Sequence, residues 1–311
     1  MKLDYKVKIE NIQQLNIVLK SENVKEIIIS RDSFSEKELI KFTNEIKSKG
    51  KSPWILMERI SRFEEKPMDL RISTDKLFEI KNLDGIIVQN LDSFAYVLRK
   101  INKVANDKLK VELNYTMNCY NDETKKVYQN LYNEKRENAS VVPLLFTAPV
   151  ELNIYELSEV GYDTMIVYSY IDTMVSANCL RKNLAVSDTI RPHRTGELHE
   201  PACKNRFNFE NVHDFSSYII DRKGKKLHYK TYCKYCYNKI FNTEPLYFLD
   251  KIDELKTIGE KLHEPTNCMG EFHEPAYRID FSFETDNEVR DILNKKIPES
   301  FTRGHIKNSI K

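Results

Sequence analysis

Short β-branched runs alternate with longer segments of helical period through the first half of the chain, and two more strand–helix units follow a cysteine-rich interruption. This pattern predicts an α/β fold, a (β/α)8 TIM-type barrel with a cysteine-bearing insertion after strand six. Successive parallel strands need helical crossovers, and those cover both faces of the sheet. At 311 residues the chain suits one such barrel, read as a single domain over 1–311 with its insertion at 171–244.

The strands are expected at Glu26–Ser30, Trp54–Glu58, Gly85–Val88, Val111–Asn114, Val141–Leu145 and Thr164–Tyr168. Between them, Ser35–Ser48, Phe94–Val104, Asp122–Glu134 and Val150–Leu157 carry apolar residues at helical spacing. The last two units are Leu246–Leu249 with Lys251–Leu262, and Tyr277–Phe283 with Asn287–Lys295. Inside the insertion, Tyr218–Asp221 and Lys226–Thr231 read as a hairpin turning at Arg222-Lys223-Gly224-Lys225. An insertion at the C-terminal end of a barrel strand sits on the face where such barrels build their active sites.

The composition is that of a soluble protein, 41% hydrophobic and 31% charged, with a formal net charge of +2 that neither requires nor excludes nucleic acid. No run of apolar residues is long enough to span a membrane, and the N-terminus lacks a signal-peptide core, so the cytoplasm is the expected location.

Six cysteines occur in the chain, and four of them form the sharpest signal: Cys179, Cys203, Cys233 and Cys236. In a reducing compartment disulfides are a poor explanation. A Cys-x-x-Cys pair grips two vertices of a tetrahedral thiolate site and two distant thiols close it, which suits a [4Fe-4S] cluster or, alternatively, structural zinc. Cys119 and Cys268 are spare, and Cys119 reads as a small buried hydrophobe. The triplet His-Glu-Pro occurs at 199–201, 263–265 and 273–275 and reads as exposed loop.

Polar residues at expected strand ends converge on a barrel mouth, which makes Arg31, Arg59, Asn90, Asn114, Tyr168, Asp250 and Arg278 candidates for catalysis or binding. Arg31, Arg59 and Arg278 could grip a dicarboxylate by bidentate pairing, or could equally be ion pairs between loops. No His-Glu-x-x-His, Gly-x-Ser-x-Gly or Ser/His/Asp arrangement stands out for peptide hydrolysis, and His193, His199 and His213 read as surface or packing residues. The basic tip Arg222–Lys226 with His228, Tyr229, Lys230, Tyr232, Lys234 and Tyr235 interleaves charge with rings, a pattern able to neutralise phosphates and stack bases.

Several of these segments carry a resemblance. Thr164–Tyr168 followed by Met174–Cys179 resembles the strand end and first cluster cysteine of peptidase family U32, the collagenase-like proteins. Ile220-Asp221-Arg222-Lys223-Gly224 is similar to that family's Asp-Arg turn, and Tyr232–Asn242 to its Cys-x-x-Cys-Tyr-Asn stretch. Tyr277–Phe281 with Glu284 resembles its last strand, and Val111–Asn114 and Val150–Asn153 resemble two further strand ends. The likeness runs from about residue 25 to 295 and is closest to the second barrel module of longer clostridial members, although Ser169 stands where the family usually has glycine.

The resemblance implies one of two activities. Some members are assigned peptidase activity, notably on collagen. Others are oxygen-independent hydroxylases with a [4Fe-4S] cluster, acting on a tRNA uridine, a ribosomal RNA cytidine or a ubiquinone precursor with prephenate as hydroxyl source. The expectation is therefore an RNA-base hydroxylase with tRNA or rRNA and a small carboxylate donor such as prephenate as partners. The alternatives are an atypical peptidase and a non-catalytic module that partners a second U32-type barrel.

Overall fold

The computed structural model describes residues 3–60, 76–103, 108–137, 142–177, 215–262 and 274–305. Strands β1 (Tyr5–Ile9), β2 (Val24–Ser30), β3 (Ser52–Leu56), β4 (Gly85–Val88), β5 (Lys110–Leu113) and β6 (Leu144–Phe146) pair in parallel in chain order. On the other side of β1, β13 (Ala276–Asp280) and then β7 (Thr164–Ser169) continue the parallel ladder. The short β12 (Leu246–Tyr247) adds antiparallel to β7, giving a curled, mostly parallel nine-stranded sheet that forms a half-barrel. A single parallel bridge, Thr147 to Thr164, joins its two sides, with the Ala148 N–H donating to the Thr164 carbonyl at 2.8 Å.

The alternation along each strand explains the curl. On β1, Tyr5, Val7 and Ile9 join the large apolar core beneath the helices, while Lys6, Lys8 and the following Glu10 turn to the inner face. Ion pairs neutralise that inner face: Lys6 meets Glu112 at 2.6 Å and lies over the Trp54 ring, and Arg278 pairs with Asp280 through both nitrogens at 2.6 and 2.7 Å. Gly85 lets β4 pass Trp54, since a Cβ there would lie 2.2 Å from the indole.

Seven helices cover the outer face among the described residues: α1 (Ile12–Val18), α2 (Glu36–Ser48), α3 (Leu91–Lys100), α4 (Asp122–Lys135), α5 (Ile154–Val160), α6 (Ile252–Leu262) and α7 (Asp286–Leu293). Side chains cap most of their starts, with full capping boxes at Ser35, Asn153 and Thr285. None of the helices is long and apolar enough to cross a membrane.

Two expectations need correction. The first strand, β1, is not among the expected strands, because two of its five residues are lysines that break the apolar run. The expected seventh strand, Leu246–Leu249, is only the antiparallel edge strand β12. The insertion therefore follows the seventh strand of the chain rather than the sixth. It holds a second sheet in the order β8 (Asp172–Ser176), β11 (Tyr237–Phe241), β10 (Lys226–Tyr232), β9 (Phe215–Ile220), all antiparallel. The expected hairpin is present: β9 and β10 are joined at Asp221–Lys225, with Gly224 at φ 78°.

Candidate functional site

The second sheet lies over the C-terminal ends of the parallel strands, and a cleft of about 640 Å³ opens between them. Glu10 and Asn11 line it from the end of β1, Ser33 from the β2–α2 loop, and Ser282, Phe283 and Glu284 from beyond β13. Ser216, Ser217 and Tyr218 on β9 and His228 and Lys230 on β10 form the opposite wall.

Glu10 is the hub of the floor. It accepts from Lys8 at 2.7 Å and Lys230 at 2.9 Å, and from the Ser33 hydroxyl. Burial opposes its ionisation, but the ammonium groups of Lys230, Lys8 and Lys239 outweigh burial and hold its carboxyl well below the usual range. Glu284 sits in the opposite environment. Burial pushes its carboxyl up, against the N–H groups of Ser282 at 2.5 Å and Phe283 at 2.9 Å and the nearby Tyr168 hydroxyl. One cleft thus holds an anchored carboxylate and a carboxyl that favours its proton, the arrangement that separates acid from base roles. His228 stacks on Phe283 with centroids 5.0 Å apart, and burial, with Lys226 nearby, lowers its pKa.

The Cys-x-x-Cys segment is the tight connection from β10 to β11, closed by the Tyr232–Tyr237 pair. Cys233 is buried, Cys236 half-buried with φ at 57°, and Tyr232, Tyr235 and Tyr237 form a dry cushion against Ile60 and Val175. The turn is fixed to the parallel sheet from both sides. Lys234 donates to the carbonyls of Arg31 at 2.9 Å and Phe34 at 2.6 Å and pairs with Glu36 at 3.1 Å. The Tyr237 hydroxyl donates to Asp32 at 2.6 Å and accepts from the Arg59 N–H at 3.0 Å. Burial pushes the Asp32 carboxyl up to about 6 despite Lys239 and Tyr237.

Two thiols at the ends of one tight turn fit the paired half of a tetrathiolate site. Cys179 and Cys203, the expected other half, lie outside the described residues, as do Cys268 and all of the His-Glu-Pro triplets except Glu274 and Pro275. Among the described residues no group of three or more His, Cys, Asp or Glu side chains could hold a metal. The register places Ser176, near the end of β8, opposite Asn238, two residues past Cys236.

The strand-end candidates divide differently from the expectation. Arg31 is fully buried and paired with Glu58 at 3.1 Å and Glu36 at 3.4 Å. Arg278 is held by Asp280 and by Asn114 at 2.9 Å on the inner face. Arg59 donates to the Gln89 carbonyl at 2.8 Å and lies 3.8 Å from Asp172. None of the three arginines lines the cleft; Arg31 and Arg278 are paired with internal carboxylates instead. Asn90 caps α3 by accepting from the Ser93 N–H at 2.8 Å, and Asp250 forms a two-nitrogen pair with Arg303 at 2.5 and 2.8 Å. Only Tyr168 reaches the neighbourhood of the cleft, through Glu284.

The aromatic and basic patch is also redistributed. Tyr232, Lys234 and Tyr235 are entirely buried, and Tyr229 and Lys230 nearly so, which leaves little of them at the outer surface, although Lys230 lines the cleft. Exposed are the tip Arg222–Lys226 and Tyr218 at the cleft edge, with the Lys226 ammonium 4.9 Å from the Tyr218 ring. Sequence reasoning missed Lys8, Glu10, Ser33, Ser282 and the cleft role of Lys230 and His228. The alternating charges of Lys6, Lys8 and Glu10 were the available signal for a strand with a polar inner face.

No family model and no curated protein matches the sequence. Among solved structures the chain is similar to the U32 peptidase Mk0906, at 15% identity and a TM-score of 0.40, over 55% of this chain and 72% of that one. It is also similar to an uncharacterized B. cereus protein, at 13% identity and a TM-score of 0.34, over 56% and 50% of the two chains. Both likenesses are distant.

Proposed function

We propose that the chain is a U32-type enzyme, a (β/α)8 barrel with a [4Fe-4S] cluster on Cys179, Cys203, Cys233 and Cys236, and that it hydroxylates an RNA base without molecular oxygen. The observation that carries this reading is the single strand β10, which delivers Lys230 to the cleft and Cys233 to the turn three residues later. At about 3.4 Å per residue the turn lies roughly 10 Å along the strand from the cleft floor. Such a cluster would supply one-electron chemistry close to a substrate held there.

The protein's own residues perform the binding. Lys230 and Lys8 attract a small carboxylate donor to the floor, and the serines offer it hydrogen bonds. Tyr218 and the exposed tip Arg222–Lys226 receive a splayed nucleotide, ring against ring and ammonium against phosphate. A cleft of about 640 Å³ suits one base with a small acid rather than an extended polypeptide, which favours hydroxylation over peptide hydrolysis.

Anaerobic purification with iron and sulfide assay tests the cluster, and mass spectrometry of tRNA and ribosomal RNA nucleosides from a deletion strain tests the chemistry. Four irons per chain and loss of one hydroxylated nucleoside are expected. A colourless protein with one zinc, or an unchanged nucleoside profile, defeats the reading.

A further inference from the structure

We infer that the cleft binds a small carboxylate in exchange for the charge of Glu284: as the ligand's anion settles against Lys230, Glu284 takes up a proton. The inference rests on the reading of the cleft as a carboxylate site.

It follows from a count of buried charge. Glu10 and Lys230 line the floor, and Lys8, Lys239 and Asp32 lie behind them, so that three ammonium groups face two carboxylates, all at least nine-tenths buried. One positive charge is left over, and a buried charge needs a counter-ion. Glu284 is the remaining carboxyl lining this cleft, and among these cations Lys8 acts on it directly. Either ionised Glu284 or a bound anion can balance the floor. Both together would place two negative charges against one surplus cation in a desolvated site.

The groups around Glu284 leave it as the one that must yield. From β7 and its extension come the hydroxyls of Tyr168 and Tyr170, both with ionisation suppressed by burial and by Glu284 itself. From β1 come Lys8 and Glu10, the latter locked ionised between its lysines. From β10 come Lys230, which is bound to Glu10, and His228, whose pKa is lowered by burial and by Lys226. Glu288 on α7 adds negative charge around Tyr168 and Tyr170. On β13 itself, Asp280 is committed to Arg278. Glu284 keeps the N–H groups of Ser282 and Phe283 in either state, so the exchange needs no rearrangement of the loop.

The test is titration calorimetry of the full chain, purified anaerobically, with benzoate as the probe. It is run from pH 6.5 to pH 9 in pairs of buffers with different ionisation enthalpies, which reads the protons taken up per ligand. Uptake is expected to rise towards one proton per benzoate as pH increases, with affinity falling by up to tenfold per pH unit once Glu284 is ionised in the free protein. Glu284→Gln should bind with no proton uptake and a flat pH profile, and Lys230→Met should weaken binding at least tenfold. Benzoate binding without proton uptake anywhere in the range, or a Glu284→Gln variant that keeps the native pH profile, overturns the inference while sparing the carboxylate site. Failure of the native chain to bind benzoate at any pH overturns both. The proton count on the native chain decides the matter even if the variants do not fold.

Discussion

Lys234 sits between the two cysteines of the turn, and replacing it should free the turn from the parallel sheet. Its ammonium is fully buried and makes three contacts, to the Arg31 carbonyl, the Phe34 carbonyl and Glu36. Lys234→Met keeps the length and apolar volume of the side chain while removing the charge. Breaking a buried ion pair from one side costs about 3–5 kcal/mol, and each carbonyl stripped of its donor adds about 1–3 kcal/mol. Two effects reduce the sum. Glu36 keeps 19% exposure and can rehydrate, and the native ammonium already suffers from burial, which lowers its pKa. A net loss of about 2–4 kcal/mol remains.

That loss falls on local opening of the turn, which exposes Cys233. In metal-free protein the reaction of Cys233 with a thiol reagent should therefore quicken by roughly 30-fold or more, since 1.4 kcal/mol is tenfold in an opening constant. Urea unfolding should show a lower midpoint with little change in slope. Glu36→Gln is the companion variant: it leaves the fully buried Lys234 ammonium without a carboxylate, so it too should cost more than about 1 kcal/mol. A Lys234→Met protein with native stability to within about 0.5 kcal/mol and native thiol reactivity would refute the docking role.

Other substitutions probe the same architecture. Cys236→Gly removes a proposed cluster ligand but relieves the left-handed backbone at φ 57°, so the metal-free protein should gain about 1 kcal/mol while iron binding is lost; equal losses in both would contradict it. Asp32 has its carboxyl raised from 3.8 to about 6, so its contribution is fully present below pH 3.8 and is lost as pH rises through 6. Asp32→Asn should remove a decline of roughly 3 kcal/mol across that window, read as the difference between the two stability–pH curves. Gly85→Ala drives a methyl into the Trp54 ring and should cost about 1–3 kcal/mol in urea unfolding; a neutral result would mean the indole can move aside.

The parallel strands that could be read from sequence were those with a continuous apolar run, such as Ile27–Ile29 and Gly85–Val88. Such runs arise where a buried strand meets apolar neighbours on both faces. β1 escaped because its inner face is ion-paired, which leaves Lys6 and Lys8 in a pattern that a solvated segment would share. Leu246–Leu249 misled for the reverse reason: it is fully buried, as an apolar run should be, yet only two of its residues pair, and at the edge. The β9–β10 hairpin was legible because a Gly-bearing basic turn separates its two strands. The burial of Lys234 and Tyr235 was not, since it depends on contacts with residues 31–36, some 200 positions away in the chain.

Charge balance separates structural ion groups from the functional ones in this molecule. On the inner face Lys6 meets Glu112 and Arg278 meets Asp280, each a neutral pair. Beside the cysteine turn, Arg31 and Lys234 are matched by Glu58 and Glu36. All of these sit where no ligand is required to complete them, and removing either member leaves an isolated buried charge. The floor of the cleft departs from that rule, with Lys8, Lys230 and Lys239 facing Glu10 and Asp32, and it is also the group of charges that borders an opening. Leaving Glu284 aside, one cation is in surplus there, and that surplus is where the proposed carboxylate would bind. Arg31 and Arg278 stand on the structural side of that division: at their strand ends each is paired with internal carboxylates, and neither lines the cleft.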